Sequence, residues 1–225
     1  MNQFTPVIHA VIFDMDGLML DTERLAQQAW QQAGTDLGYD LPDEIYRLAI
    51  GRTAQATEEI FRGHFGADSP FEAIYERKQQ YYHEAIEQGH VALKRGLLEL
   101  LDELDRRGIP KAVATSTARP LALQKLRATH LLPRFPHIVC GDEVPNGKPA
   151  PDIFLAAAAK LAVAPAHCLV LEDSPAGIRA AQAAGMVPIL VPDLVLPPTE
   201  IRQAAYRVVD SLYDVFSLID TLAAT

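Results

Sequence analysis

The chain has 225 residues, 49% of them hydrophobic, enough for one large domain or a domain with an inserted lobe around a buried core. Its 20 basic against 29 acidic residues leave a formal charge of −9, which argues against binding nucleic acid or an anionic membrane and requires any phosphate ligand to meet a local positive site. No apolar run is long enough to span a bilayer, and residues 7–13 lack the basic lead-in of a signal peptide. The two cysteines, Cys140 and Cys168, sit in apolar runs as reduced core thiols would, which points to the cytoplasm.

In chain order, short apolar runs alternate with longer helical patterns. Strands are expected at 10–13, 112–114, 138–140, 168–171, 187–191 and 207–209, each too short to be a helix. Helices are expected at 96–107, 121–129, 151–161 and 175–184, with Gly108 and Gly185 as stops. Such alternation predicts an α/β fold, a doubly wound parallel sheet with helices on both faces. The long interval after the first strand carries no convincing strand, and a connection of that length is a domain in itself. We expect residues 20–91 to form an inserted helical cap domain, with 1–19 and 92–225 as the α/β core. Thr22 is the expected N-cap of a helix over 23–33, followed by segments near 43–50, 53–65 and 71–88. The prolines at 192, 197 and 198 mark a late loop.

The sharpest signal is Asp14-Met15-Asp16-Gly17-Leu18-Met19-Leu20-Asp21-Thr22, directly after the first apolar strand. Two carboxylates one residue apart point to opposite sides of an extended chain unless a turn follows, and Gly17 supplies that turn. Three further clusters fall at the ends of expected strands: Ala114-Thr115-Ser116, Gly147-Lys148-Pro149 and Leu171-Glu172-Asp173-Ser174.

In this order and spacing the four clusters resemble the motifs of the haloacid dehalogenase superfamily of phosphotransferases, in its β-phosphoglucomutase-like subgroup with a helical cap inserted after the first motif. The resemblance runs through most of the chain. It implies an Mg²⁺-dependent phosphatase of small phosphorylated metabolites, sugar or polyol phosphates, that works through an aspartyl phosphate. Asp14 would be the nucleophile, and Asp16 the acid that protonates the leaving alkoxide and then the base that deprotonates water. The Thr115 hydroxyl and the Ser116 amide would bind the phosphoryl oxygens, with Lys148 offsetting charge there. The implied Mg²⁺ ligands are the Asp14 carboxylate, the Asp16 backbone carbonyl, the Asp173 carboxylate, and Glu172 directly or through water. Arg119 lies where related enzymes contact substrate, Arg52 sits in the cap loop Gly51-Arg52-Thr53 that would select it, and Lys78 could reach its far end. A monomer that binds a small phosphorylated metabolite, with neither nucleic acid nor membrane as partner, completes the expectation.

Asp16 separates branches, because a phosphate ester needs an acid there and a halide does not. A phosphosugar mutase of the β-phosphoglucomutase type is the alternative enzyme reading. That mutase carries a histidine and a cap arginine where this chain has Ala26 and Ala54, so hydrolysis is favoured. A non-catalytic phosphate-binding or receiver-like signalling protein is the alternative from another class. Receivers are much shorter and lack an inserted lobe. The seven histidines show no metal-ligand spacing, and Trp30 reads as core of the helical lobe.

Overall fold

A computed structural model of the protein describes residues 6–50 and 54–222. One six-stranded sheet contains β1 (Ala10–Phe13), β2 (Lys111–Thr115), β3 (His137–Cys140), β4 (Cys168–Glu172), β5 (Val187–Leu190) and β6 (Arg207–Val208). All neighbours are parallel, in the order β3-β2-β1-β4-β5-β6. β1, β2 and β4 are buried at every residue, which is why they read as continuous apolar runs and not as alternating ones.

The helices are α1 (Thr22–Asp36), α2 (Asp43–Ala49), α3 (Ala54–Phe65), α4 (Phe71–Glu87), α5 (Leu97–Arg106), α6 (Arg119–Ala128), α7 (Asp152–Leu161), α8 (Pro175–Ala183), α9 (Thr199–Ala204) and α10 (Val215–Leu222). On one face of the sheet, Ala10, Ile12, Ala112, Ala114 and Val170 pack with Ile153, Phe154 and Ala157 of α7 and Ala180 and Ala181 of α8. Small residues on both sides let these helices approach the strands closely. Phe13 belongs to the alternate set of side chains and meets Phe135 edge-on at 5.6 Å. α5 buries Leu97, Leu100, Leu101 and Leu104, a helical stripe.

The chain divides into two compact units, one of Met1–Leu20 with Ala92–Thr225 and the other of Asp21–Val91. Leu20 belongs with the sheet, bridged both to Asp16 and to Leu93. Within the helical unit α1 packs on α4, and Trp30, Phe61, Phe71 and Tyr75 form an aromatic core with ring centroids about 5.5 to 6.4 Å apart.

Two details depart from the sequence reading. Asp21, not Thr22, is the N-cap of α1, and its carboxylate is turned to Arg24 at 2.8 Å and bonds no helix amide. The expected late loop is present around the prolines at 192, 197 and 198, but two helices beyond it were not expected: α9 starts directly after Pro198, and α10 buries Val215, Ile219 and Leu222 at helical spacing. α9 is too short for its periodicity to be read, and α10 is apolar enough to pass for a strand.

Candidate active site

The strand order reverses beside β1, because β2 and β3 extend the sheet one way and β4 to β6 the other. Open α/β sheets bind ligands outside the carboxyl ends of their strands at such a crevice. Asp14 follows β1 there, with its amide still bonded to the Leu171 carbonyl at 3.0 Å. Thr115 ends β2 and Glu172 ends β4. The chain after Asp14 then folds back on itself: Gly17 takes φ +83°, its amide bonds the Leu20 carbonyl at 2.9 Å, and Met15, Leu18, Met19 and Leu20 are all buried. Buried anchors on both sides of the turn fix the two acidic side chains in place.

Lys148 binds these strands together. Its ammonium donates to Asp14 Oδ1, to Glu172 Oε1 at 2.6 Å and to the Ala114 carbonyl at 3.2 Å, and lies 4.9 Å from the centre of the Phe154 ring. Glu172 is fully buried, and its other oxygen accepts from the Ser174 amide and hydroxyl at 2.8 and 2.9 Å. Ser174 in turn caps α8 by accepting from the Gly177 amide at 3.1 Å. A side chain at Gly177 would put its Cβ 1.8 Å from the Glu172 carboxyl carbon, so only glycine lets this helix start close on the acid.

One oxygen each of Asp14, Glu172 and Asp173 lie within 4.8 Å of one another. These are three carboxylates with one ammonium among them, and the electrostatics show the imbalance. Burial pushes the Asp14 carboxyl up from 3.8 to about 7 against the attraction of Lys148, with Glu172 and Asp16 pushing the same way. Asp173 is also raised well above the usual carboxylate range, by burial first and then by the charges of Glu172 and Asp14. Burial disfavours the Lys148 ammonium, but Asp14 and Glu172 together outweigh it and hold the lysine more firmly protonated than usual. Oxygen donors carrying surplus negative charge fit a hard divalent cation.

Asp16 stands apart from that trio. Its Oδ2 accepts from the Thr117 hydroxyl at 2.6 Å and its Oδ1 from the Lys125 ammonium at 2.6 Å. The Thr117 amide donates to Thr115 Oγ1 at 3.1 Å, which leaves the Thr115 proton to point elsewhere. Ser116 is exposed on the turn after β2. Gly141 packs under it, where a Cβ would lie 2.3 Å from the Ser116 carbonyl oxygen.

The expected substrate contacts are placed differently from one another. Arg119 starts α6, but its guanidinium is engaged by Glu143 at 2.8 Å and the Ile138 carbonyl at 3.3 Å. Lys78 lies in the helical unit, its ammonium 5.3 to 5.9 Å from the ring centres of Tyr82, Tyr75 and Trp30. Arg52, with Gly51 and Thr53, lies outside the described residues. Lys125 and Thr117 were not singled out in the sequence. The available signal for Lys125 was a lysine set in the stripe of Ala122 and Leu126, where α6 is buried.

Among proteins of known family, residues 8–185 match the model of the haloacid dehalogenase-like hydrolases. The Drosophila melanogaster protein named probable pseudouridine-5'-phosphatase is 39% identical over 193 residues, 83% of this chain and 82% of the relative. A phosphorylated carbohydrates phosphatase of Thermotoga maritima is 32% identical over 183 residues, 80% of this chain and 82% of the relative. The crystal structure of β-phosphoglucomutase from Clostridium difficile superposes with a TM-score of 0.70 at 26% identity, covering 95% of this chain and 96% of that one. No helix of the described residues is long and apolar enough to cross a membrane.

Proposed function

The chain belongs to the haloacid dehalogenase-like hydrolase family and is a phosphoric monoester hydrolase; from this premise we propose that it hydrolyses phosphorylated sugars or polyols through a phosphoryl group carried on Asp14. The observation that carries the reading is the division of the carboxylates. Asp14 sits with Glu172 and Asp173 around Lys148, whereas Asp16 is held on separate donors, outside that trio. One acid is thereby arranged for attack and the other for proton transfer.

In the first step an Asp14 carboxylate oxygen attacks phosphorus, and the bond from phosphorus to the ester oxygen breaks. Asp16 gives its proton to the departing alkoxide. In the second step Asp16 takes a proton from water as that water attacks phosphorus, and the bond from phosphorus to Asp14 breaks. The Thr115 hydroxyl and the Ser116 amide donate to the phosphoryl oxygens in both steps, with the Lys148 ammonium offsetting their charge. The carboxylates of Asp14 and Asp173, the Asp16 carbonyl and Glu172, directly or through water, would hold Mg²⁺, which would supply positive charge to the carboxylates and the phosphoryl group. Arg52 and Lys78 are the proposed contacts for the rest of the substrate, whereas Arg119, its guanidinium held by Glu143, is proposed to make none.

A substrate with a sugar-like body is supported by the two relatives above, one named as a probable pseudouridine-5'-phosphatase and the other as a phosphorylated carbohydrates phosphatase. Hydrolysis in place of isomerisation is supported by Ala26 and Ala54, which offer no polar group to retain a bisphosphate. The free, buried Cys140 and Cys168, both pushed up to about 11 by burial, support a reducing compartment such as the cytoplasm.

The test is phosphate release from a panel of phosphorylated sugars and polyols with Mg²⁺, alongside Asp14→Asn. Turnover by the wild type and none by the variant is expected; a variant near wild-type rate overturns the covalent role. Glucose 1-phosphate with a trace of the bisphosphate separates the two enzyme readings, since glucose 6-phosphate forming faster than inorganic phosphate would establish the mutase.

A further inference from the structure

Lys125 is buried, with its side chain only 4% exposed, on a helix whose neighbouring inward residues are Ala122 and Leu126. Placing a lysine there costs the hydration of its ammonium and the freedom of a long side chain. Stability is a poor reason for it, because a buried ion pair roughly breaks even against apolar residues of the same volume. What the ammonium does touch is Asp16, 109 residues away in the chain, at 2.6 Å on Oδ1.

The second contact gives the first its meaning. Thr117 donates to Oδ2 of the same carboxylate at 2.6 Å, so each oxygen of Asp16 has its own donor. The terminal torsion of an aspartate is intrinsically broad, and a single donor leaves the group free to swing about that one contact. Two donors from different sides of the carboxylate fix both torsions. The backbone beneath is already fixed by the Gly17 turn and by the bridge from Asp16 to Leu20. Displacing a catalytic group by about 1 Å can lose about 10²-fold in rate.

We infer that Lys125 is a positioning residue that holds the Asp16 carboxylate, together with Thr117, where it can serve both the departing alkoxide and the attacking water. The inference rests on the reading of Asp16 as the proton-transfer group.

The test compares phenyl phosphate, a poor leaving group, with p-nitrophenyl phosphate, a good one that needs little protonation. Lys125→Met keeps the volume of the side chain and removes its donor. It is expected to lower kcat/KM, which reports only the first step, by about 10- to 100-fold for phenyl phosphate and by less than about threefold for p-nitrophenyl phosphate, whereas slowing of the second step lowers kcat for both esters alike. Lys125→Arg, which can still donate, is expected to recover most of the loss. In an Asp16→Asn background Lys125→Met should cost nothing further, since the group it positions is gone. Lys125→Gln is measured in parallel, so that poor folding of one variant leaves the comparison intact. Equal losses of kcat/KM on the two esters, or a full additional loss on top of Asp16→Asn, overturns the role of Lys125 alone. If Asp16→Asn by itself fails to distinguish the esters, the assignment of Asp16 falls first and that of Lys125 with it.

Discussion

Replacing Asp14 with Asn should remove turnover and yet stabilise the metal-free protein. With the carboxyl raised from 3.8 to about 7, keeping it ionised in the folded state costs free energy that the unfolded chain does not incur. At about 1.4 kcal/mol for each tenfold change in proton affinity, the rise corresponds to roughly 4 kcal/mol. The sign follows from which state holds the proton. Between pH 3.8 and about 7 the folded form keeps a proton that the unfolded form has lost, so the wild type loses stability as pH rises through that window, and the loss is complete above it. Asparagine has a similar shape and no charge to lose. In chelator at pH 8 the variant should therefore be more stable by about 2 to 4 kcal/mol, a rise in Tm of about 5 to 15 °C for a chain of this size, and the gap should narrow to about 1 to 2 kcal/mol at pH 5. Adding Mg²⁺ should close the gap from the other side, since a cation at 100 times its Kd stabilises the form that binds it by about 2.7 kcal/mol, and the uncharged amide of the variant binds it poorly. Thermal melts of both proteins, with and without Mg²⁺ at the two pH values, check this. If the variant melts at or below the wild type in chelator at pH 8, Lys148 alone satisfies the trio and the case for a cation fails.

Gly177→Ala should destabilise by at least about 3 kcal/mol, because its Cβ would meet the buried Glu172 carboxyl and disturb the pair with Lys148. Gly63→Ala in α3 has nothing within 4 Å of its Cβ and should instead stabilise by about 0.5 to 1 kcal/mol; denaturant melts of the two variants give opposite signs or refute the packing argument. Ca²⁺ in place of Mg²⁺ should suppress phosphate release, since it takes more ligands at longer distances; turnover that persists undiminished in excess chelator rules out a catalytic metal. Arg119→Ala should leave KM within about threefold, its guanidinium being held by Glu143, whereas Lys78→Met should raise KM for sugar phosphates more than for p-nitrophenyl phosphate. Parallel shifts on every substrate would assign Lys78 to the aromatic core of its unit.

The sheet was legible because strands buried on both faces leave continuous apolar runs, and because the clusters at Asp14, Thr115 and Glu172 stand at the ends of such runs. Asp14, Thr115 and the pair Glu172 and Asp173 are brought together by strand register: Phe13 pairs with both Val113 and Leu171, which puts the residues that follow at the carboxyl end of adjacent strands. Lys148 was legible only by its motif, since it reaches Asp14 from a loop 134 residues downstream. Lys125 was not legible, because helical periodicity assigns it a buried face without saying which charge awaits it there. Thr117 was hidden for a different reason: a third hydroxyl after Thr115 and Ser116 reads as ordinary turn chemistry until the partner of its proton is seen.

Asp14 and Asp16 are two residues apart and live in opposite electrostatic settings, which local sequence could not produce by itself. Gly17 is the point at which the two settings are separated. It reverses the chain at φ +83°, a conformation that L side chains rarely adopt, and its missing side chain leaves room for Asp173, whose Oδ2 would lie 2.3 Å from a Cβ there. The same absence therefore does two things. It turns the chain back so that Asp16 bridges to Leu20 with its carboxylate on Thr117 and Lys125, and it lets Asp173 close on Asp14 and Glu172 from behind the turn. An alanine at this position would strain the turn and push Asp173 away, so it would disturb both carboxylate environments at once, whereas substitutions at Asp173 or Lys125 disturb one each. This is the physical reason for a glycine immediately after the second aspartate: the spacing of the two acids and the assembly of the distant ones around them depend on the same few cubic ångströms.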